Sequence, residues 1–154
     1  MRPIARRSLA HVALLGCIVT LPACGDGPLQ PGGGSSLRMS IDGQQWTAVS
    51  VTANNINGIV GTGAADLAGV GFGFAFQGST TGTYMIAANS PTNATYSEGG
   101  NGWAATSAGG SGTITVTTLN AERVAGTFTF QVNAVGQHMP ATRSITNGVF
   151  DIEF

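Results

Sequence analysis

From residue 37 onwards, hydrophobic and polar positions alternate with a period of two, the pattern of a strand with one buried face. The clearest run is 70–76, Val-Gly-Phe-Gly-Phe-Ala-Phe, where larger apolar residues alternate with Gly or Ala. Runs 113–119 and 124–132 show the same alternation with β-branched residues and phenylalanines. These runs predict strands, and the phenylalanines predict where the core lies.

The phenylalanines share one parity within each run. We therefore expect Phe128 and Phe130 on one buried face, near Phe72, Phe74 and Phe76.

Turn-forming residues separate the apolar runs. Asp42-Gly43 predicts a hairpin turn, and residues 54–58 predict the next turn. Asn147-Gly148 stands too near the C-terminus to begin another hairpin, so it predicts a bulge inside one strand. The only candidate helix, residues 64–68, is one turn long at most.

Strands at this spacing with short turns predict an all-β fold. We expect an antiparallel meander of about eight or nine strands, closed as a barrel or folded as a β-sandwich. A parallel α/β fold is excluded, since its crossover helices are missing.

The N-terminal segment is typical of an exported protein. Arg2, Arg6 and Arg7 precede an apolar run, residues 9–21, which is too short to span a bilayer comfortably. The run ends in Leu21-Pro22-Ala23-Cys24, which resembles the bacterial lipobox. The resemblance implies cleavage after residue 23 and lipidation of Cys24; the alternative is an ordinary signal peptide with a chance cysteine.

These features divide the chain into three parts. Residues 1–23 are predicted to be a lipoprotein signal peptide, and residues 24–36 the lipidated Cys24 with a flexible Gly/Pro/Ser tether. Residues 37–154 form the predicted single all-β domain. We expect lipid anchoring in the bacterial cell envelope through Cys24. Because Gly25, not Asp, follows Cys24, the residue that resembles an inner-membrane retention signal is missing, and the outer membrane is favoured.

Charge and composition exclude several function classes. The chain has no Lys and a formal charge of −1, and the part after residue 23 carries three arginines against seven carboxylates. This acidic balance argues against nucleic-acid binding. With one histidine and no free thiol left after processing, we predict no catalytic residue, metal site or cofactor. A hydrolase would need acids such as Glu98, Glu122 and Asp151 to converge.

Aromatic residues are the remaining candidates for ligand contact. Trp46 and Tyr84 stand at strand positions and are predicted to be core residues. Trp103 lies in the Gly-rich segment 97–112, which predicts a loop surface, so we assign it as the candidate ligand-binding residue. His138 is expected to be a solvated loop residue.

Several segments resemble a family of small uncharacterised bacterial lipoproteins, the DUF6252 type. They are residues 41–48 (Ile-Asp-Gly-Gln-Gln-Trp-Thr-Ala), 82–84, 112–116, 123–130 and 145–150. The resemblance implies an exported all-β domain and brings no catalytic residues.

Together these observations favour a non-enzymatic envelope binding or interaction module with an unknown small ligand or partner. A purely structural envelope component and, less favoured, a hydrolase of envelope polymers are the alternatives.

Overall fold

The computed structural model describes residues 34–154, and every regular element in them is a β-strand. The predicted signal peptide, Cys24 and most of the predicted tether lie outside the described residues. In chain order the strands are β1 (Ser36–Ile41), β2 (Gln44–Thr47), β3 (Ser50–Ile56), β4 (Ile59–Ala65), β5 (Gly71–Gln77), β6 (Gly82–Met85), β7 (Asn93–Glu98), β8 (Asn101–Ala105), β9 (Ser111–Leu119), β10 (Arg123–Ala134) and β11 (Thr142–Glu153).

The strands form one curled, half-barrel sheet with antiparallel pairing. Its hydrogen-bonded order is β2-β1-β11-β10-β8-β7-β5-β4-β3. The long strand β10 pairs with β11 along one side; along the other it pairs first with β9 and then, at Asn133 and Ala134, with β8. β6 extends the sheet beyond β9. The all-β antiparallel prediction is confirmed.

The strand count is eleven, higher than the eight or nine expected. One reason is that β2 ends at Thr47 and a separate strand, β3, begins at Ser50. The amide of Ala48 donates to Leu37 in β1, whereas the next amide, of Val49, donates to Ala65 in β4. The chain thus changes its pairing partner between adjacent residues, which periodicity alone does not reveal.

The candidate helix at residues 64–68 is wrong. Ala64 and Ala65 end β4, and a turn follows. The Asp66 carboxylate accepts hydrogen bonds from the amides of Ala68 and Val70 at 2.8 and 2.9 Å, which closes the turn into β5. Asp side chains stabilise such turns by replacing backbone partners.

The predicted bulge at Asn147-Gly148 is confirmed. Phe128 of β10 faces Gly148, but Phe130 faces Ile145, so β11 carries one extra residue there. Asn147 takes up the distortion with a φ of 52°, a left-handed conformation that Asn tolerates better than most residues.

One hydrophobic core contains the predicted phenylalanines. Phe72 stacks on Phe128 with ring centroids 5.0 Å apart, and Phe74 meets Phe150 edge-on at 5.0 Å. Phe130 is also buried in this cluster, so the predicted common face is confirmed.

The flanking aromatic residues extend this core. Phe76 packs against the half-buried Tyr84, and Trp46 is buried on β2, in agreement with the core prediction for both residues. Within residues 34–154, no helix is long and apolar enough to cross a membrane.

Candidate functional site

Trp103 lies in β8, not on a loop, and only 2% of its surface is exposed. Its indole N–H donates to the Pro140 carbonyl over 2.8 Å, and its ring packs against Tyr96 with centroids 5.3 Å apart. The expectation of a loop-surface Trp103 is therefore wrong. Gly99 and Gly100 form the β7–β8 turn with positive φ, and strand alternation after that turn directs Trp103 into the core.

His138 is half-buried, in contrast to the solvated side chain expected. Its Nε2 lies 2.9 Å from the Gly102 carbonyl oxygen, and its ring meets Trp103 edge-on with centroids 4.6 Å apart. These contacts fix the loop between β10 and β11 against β8.

Beside Trp103 lies the arginine cluster, which we define as Arg143, Asp42, Glu98, Tyr96 and Trp103. Arg143 donates from Nη1 to Asp42 and from Nη2 to Glu98, each over 2.7 Å. Its Cζ lies 5.0 Å from the centroid of the Trp103 ring, within cation–π range. The cluster thus joins the β1–β2 turn, β7, β8 and β11.

The electrostatics of the cluster favour its charged pairs. Burial alone would raise the pKa of Asp42, but hydrogen bonds from Arg143 and the Ser144 amide hold that pKa below its ordinary value. The pKa of Arg143 is raised, first by its hydrogen bond to Asp42. Burial, followed by hydrogen bonding to Glu98, raises the pKa of the Tyr96 phenol. Arg143 is therefore already neutralised by two carboxylates.

A cavity of about 200 Å³ adjoins the arginine cluster. Its lining residues are Ile41, Gln44, Gln45, Trp46, Val70, Tyr96, Glu98 and Arg143. This volume is below the roughly 300–1,000 Å³ of common small-molecule sites. Because its charged groups already pair with each other, we interpret the cluster mainly as a structural connection.

A larger depression of about 540 Å³ lies on the solvent-facing side of β9, β10, β11 and β1, opposite the side that packs against the core. We call it the threonine groove. Its lining residues are Arg38, Gln45, Thr113, Thr115, Thr127, Phe128, Thr129, Asn147, Gly148 and Val149. Its volume falls within the common small-molecule range of about 300–1,000 Å³.

Strand register explains why hydroxyl groups collect in the threonine groove. Thr115 faces Thr127 across β9 and β10, and Thr113 faces Thr129 in the next row. Thr113 and Thr129 have hydroxyl oxygens 3.3 Å apart. Since alternate residues share a face, the parity that buries the phenylalanines of β10 turns its threonines outward.

The row of paired residues that contains Thr127 reaches Arg38, whose guanidinium is the positive charge of the groove. Thr127 pairs with Val149 of β11, and Val149 pairs with Arg38 of β1. The bulge places Asn147 beside this row, on the groove wall.

Arg38 differs from the other arginines of the described chain. Arg123 pairs with Asp151, and Arg143 pairs with Asp42 and Glu98. Among residues 34–154, Arg38 is the arginine that has no ion pair, and its side chain is exposed. The groove therefore combines neutral hydrogen-bonding groups with one unneutralised positive charge.

The three acids considered for hydrolysis have separate surroundings. Glu98 binds Arg143, Asp151 binds Arg123, and Glu122 lies in the exposed turn after β9. In the part of the chain that the structure describes, no group of three or more His, Cys, Asp or Glu side chains could hold a metal ion.

The fold and groove define a small all-β domain with a packed core and a polar outer surface. The chain belongs to the family described as "Domain of unknown function (DUF6252)", whose model matches residues 34–151, so the predicted family is confirmed. No curated protein and no solved structure matches the chain.

Arg38 and the threonines of the groove were not predicted as site residues from the sequence. A usable signal was present, because threonine occupies the solvent-facing parity at 113, 115, 127 and 129. Threonine is also a favoured strand residue, so its presence at these positions does not by itself indicate a site. Only the pairing of β9, β10, β11 and β1 assembles these residues around Arg38.

Proposed function

We propose that the protein is a non-enzymatic binding module of the bacterial cell envelope, and that the threonine groove contacts its ligand. The observation that carries this proposal is a groove of binding-site size, lined by hydroxyl and amide groups, with an exposed arginine that has no ion pair within residues 34–154. Threonine, asparagine and glutamine side chains both donate and accept hydrogen bonds, so the groove suits a polar ligand.

We further propose that the module is lipid-anchored at Cys24, with the outer membrane as the favoured location. The Arg-rich start, the apolar run and Leu21-Pro22-Ala23-Cys24 support this. Two or three acyl chains would give stable anchoring, because a single chain binds membranes only marginally. The lipid is thus the membrane contact, and the groove remains available to another component of the envelope.

The alternative is a purely structural envelope component, which would have a packed core but no saturable ligand. The filled aromatic interior is compatible with either role. The surface, not the core, therefore distinguishes a binding role from a structural one, and a test must change surface residues.

The test is a binding screen of the full chain, purified in detergent, against envelope glycans and lipids. The double variant Thr127→Val and Thr129→Val removes two groove hydroxyls while keeping β-branched strand residues. Thr95→Val, at an exposed position of β7 outside the groove, is the control.

We expect saturable binding that the double variant weakens about 5- to 150-fold, from roughly 0.5–1.5 kcal/mol for each of two lost hydrogen bonds. Thr95→Val should bind as the wild type does. Absence of saturable binding would favour the structural role, and turnover of an envelope polymer would contradict the non-enzymatic one. Equal binding by all variants would exclude the threonine groove.

A further inference from the structure

We propose that the ligand of the threonine groove is an acidic oligosaccharide, whose carboxylate or phosphate group binds Arg38 while its hydroxyls bind the threonines. This inference rests on the proposed function and adds the chemical class of the ligand. It depends on three observations: the isolated charge of Arg38, the rows of hydroxyl groups beside it, and the scarcity of other cations.

The first observation concerns charge. Residues 34–154 contain three arginines and six carboxylates, a formal charge of −3, so the domain as a whole repels anions. Arg123 and Arg143 are neutralised by their ion pairs. Asp151, two residues along β11 from Val149, is bound to Arg123. Arg38 is therefore the place on the described surface where a ligand anion meets an uncompensated guanidinium.

The second observation concerns hydroxyl groups. Thr115 and Thr127 form one row across the strands, and Thr113 and Thr129 form the next. Neighbouring strands are about 4.8 Å apart, and same-face residues on one strand about 6.7 Å apart, so the groups form a regular two-dimensional array. Each hydroxyl of a sugar can donate and accept, as each threonine hydroxyl can. A chain of sugar units matches such an array better than a compact anion does.

The third observation separates this ligand from other anionic partners. Recognition of anionic membranes from sequence features uses clusters of about four to eight Lys or Arg residues, each contributing roughly 1 kcal/mol. Nucleic acids also require several cations along the phosphate backbone. One exposed arginine among neutral polar groups does not meet either requirement. It does suffice to select one charged substituent on an otherwise neutral polyhydroxylated ligand.

The test uses isothermal titration calorimetry on the full chain in detergent. The probes are a trisaccharide with a single glucuronate unit, its neutral methyl ester, maltotriose monophosphate, neutral maltotriose, and micelles that contain phosphatidylglycerol. The variants are Arg38→Gln, Arg38→Lys and the control Gln77→Glu. Gln77 is exposed at the end of β5, outside the groove, and its change alters net charge by the same one unit as Arg38→Gln.

We expect at least one acidic probe to bind the wild type about tenfold or more tightly than the neutral counterpart of that probe, the size of a charge-assisted hydrogen bond. Arg38→Gln should remove this preference, Arg38→Lys should retain part of it, and Gln77→Glu should keep it. Raising the salt concentration from about 0.01 M to about 1 M should also weaken the preference of the wild type for the acidic probe, because the Debye length falls from roughly 30 Å to 3 Å.

Several outcomes would overturn the inference. Equal binding of each acidic probe and its neutral counterpart would exclude an acidic ligand while leaving the groove a binding site. An equal loss in Arg38→Gln and Gln77→Glu would assign the effect to net charge. No binding of either acidic probe would remove acidic oligosaccharides, while the wider screen would still test the proposed function. Arg38-dependent binding only to the micelles that contain phosphatidylglycerol would replace the glycan with a membrane surface.

Discussion

Both tryptophans of the chain are fixed by hydrogen bonds of their indole groups. Trp46 donates to the Asp66 carboxylate over 2.7 Å, and Trp103 donates to the Pro140 carbonyl over 2.8 Å. A buried tryptophan needs such a partner, because an unpaired polar group costs free energy in the interior. Neither partner is close in sequence. The glycines around Trp103 indicate only the local turn, which explains why the sequence predicted a loop-surface position for Trp103.

The first prediction concerns Phe128, which stacks on Phe72 and contacts Phe74 in the core. We expect Phe128→Ala to lower the free energy of unfolding by about 3–5 kcal/mol, the cost of deleting a buried aromatic ring. Urea denaturation followed by tryptophan fluorescence measures the loss. Phe154→Ala is the control, since Phe154 is 38% exposed at the C-terminus. Equal midpoints for the two variants would contradict the assignment of the core.

The second prediction concerns acid stability and Asp66. Hydrogen bonds to its carboxylate, first from the Val70 amide and also from Trp46, hold the pKa of Asp66 below its ordinary value of 3.8. An unfolded Asp66 therefore takes up its proton at higher pH than a folded one does. Its contribution to stability is present above about pH 4 and is lost as pH falls through the lowered folded pKa.

Asp66→Asn tests this, because it keeps an oxygen for the turn amides but removes the charge. We expect the urea midpoint of the variant to change less between neutral and acidic pH than that of the wild type. Asp26→Asn, in the predicted tether, is the matched control and should keep the wild-type dependence. If Asp66→Asn also keeps the wild-type pH dependence of the urea midpoint, the Asp66 carboxylate is not the cause of the loss of stability in acid.

At the scale of strands, two bulges adjust the register of β10. One extra residue in β11 lies at Asn147, and one in β9 lies at Thr117. Glycine accompanies each: Gly148 faces Phe128, and Gly126 faces Val116 at the second register shift. A Cβ at Gly126 would lie 2.0 Å from the Thr115 carbonyl oxygen, closer than any real contact, so this glycine is required by the approach of β9.

The third prediction uses this close approach. Gly126→Ala should destabilise the fold by about 1–3 kcal/mol or more, since the clash is with backbone and cannot be relieved by a rotamer change. Gly102→Ala in β8 is the matched control, because a Cβ there has no atom within 4 Å. Removing the conformational freedom of Gly102 should be neutral or slightly stabilising. Thermal unfolding of both variants makes the comparison, and a larger loss for Gly102→Ala would contradict it.

Sequence pattern predicted the elements better than their arrangement. Alternation located β5, β9 and β10 and the buried side of β5 and β10, because that signal depends only on neighbouring residues. It missed the change of partner at Ala48 and Val49, which depends on hydrogen bonds to β1 and β4. The same limit applies to the site. The threonines were visible in sequence, but their assembly beside Arg38 requires the order β9-β10-β11-β1.

At the scale of the whole domain, the half-barrel sheet gives its two faces different tasks. The phenylalanine face forms the core, and the opposite face of β9, β10, β11 and β1 presents hydroxyls with Arg38. The arginine cluster ties the β1–β2 turn to β7 and β11 at another edge. Arg38 and the groove threonines lie outside the core, so variants of these residues can be tested in a folded protein.

The fourth prediction concerns the attachment of this domain to the membrane. If residues 21–24 act as a lipobox, the sulfur of Cys24 carries the lipid. Wild-type protein expressed in a bacterium should then incorporate radiolabelled palmitate and fractionate with membranes. Cys24→Ser should lose both properties. Cys17→Ser is the matched control: Cys17 lies in the apolar run predicted to be removed, so this variant should be labelled like the wild type. Labelling of Cys24→Ser, or release of unlabelled wild-type protein, would leave an ordinary signal peptide as the better interpretation of the N-terminal segment.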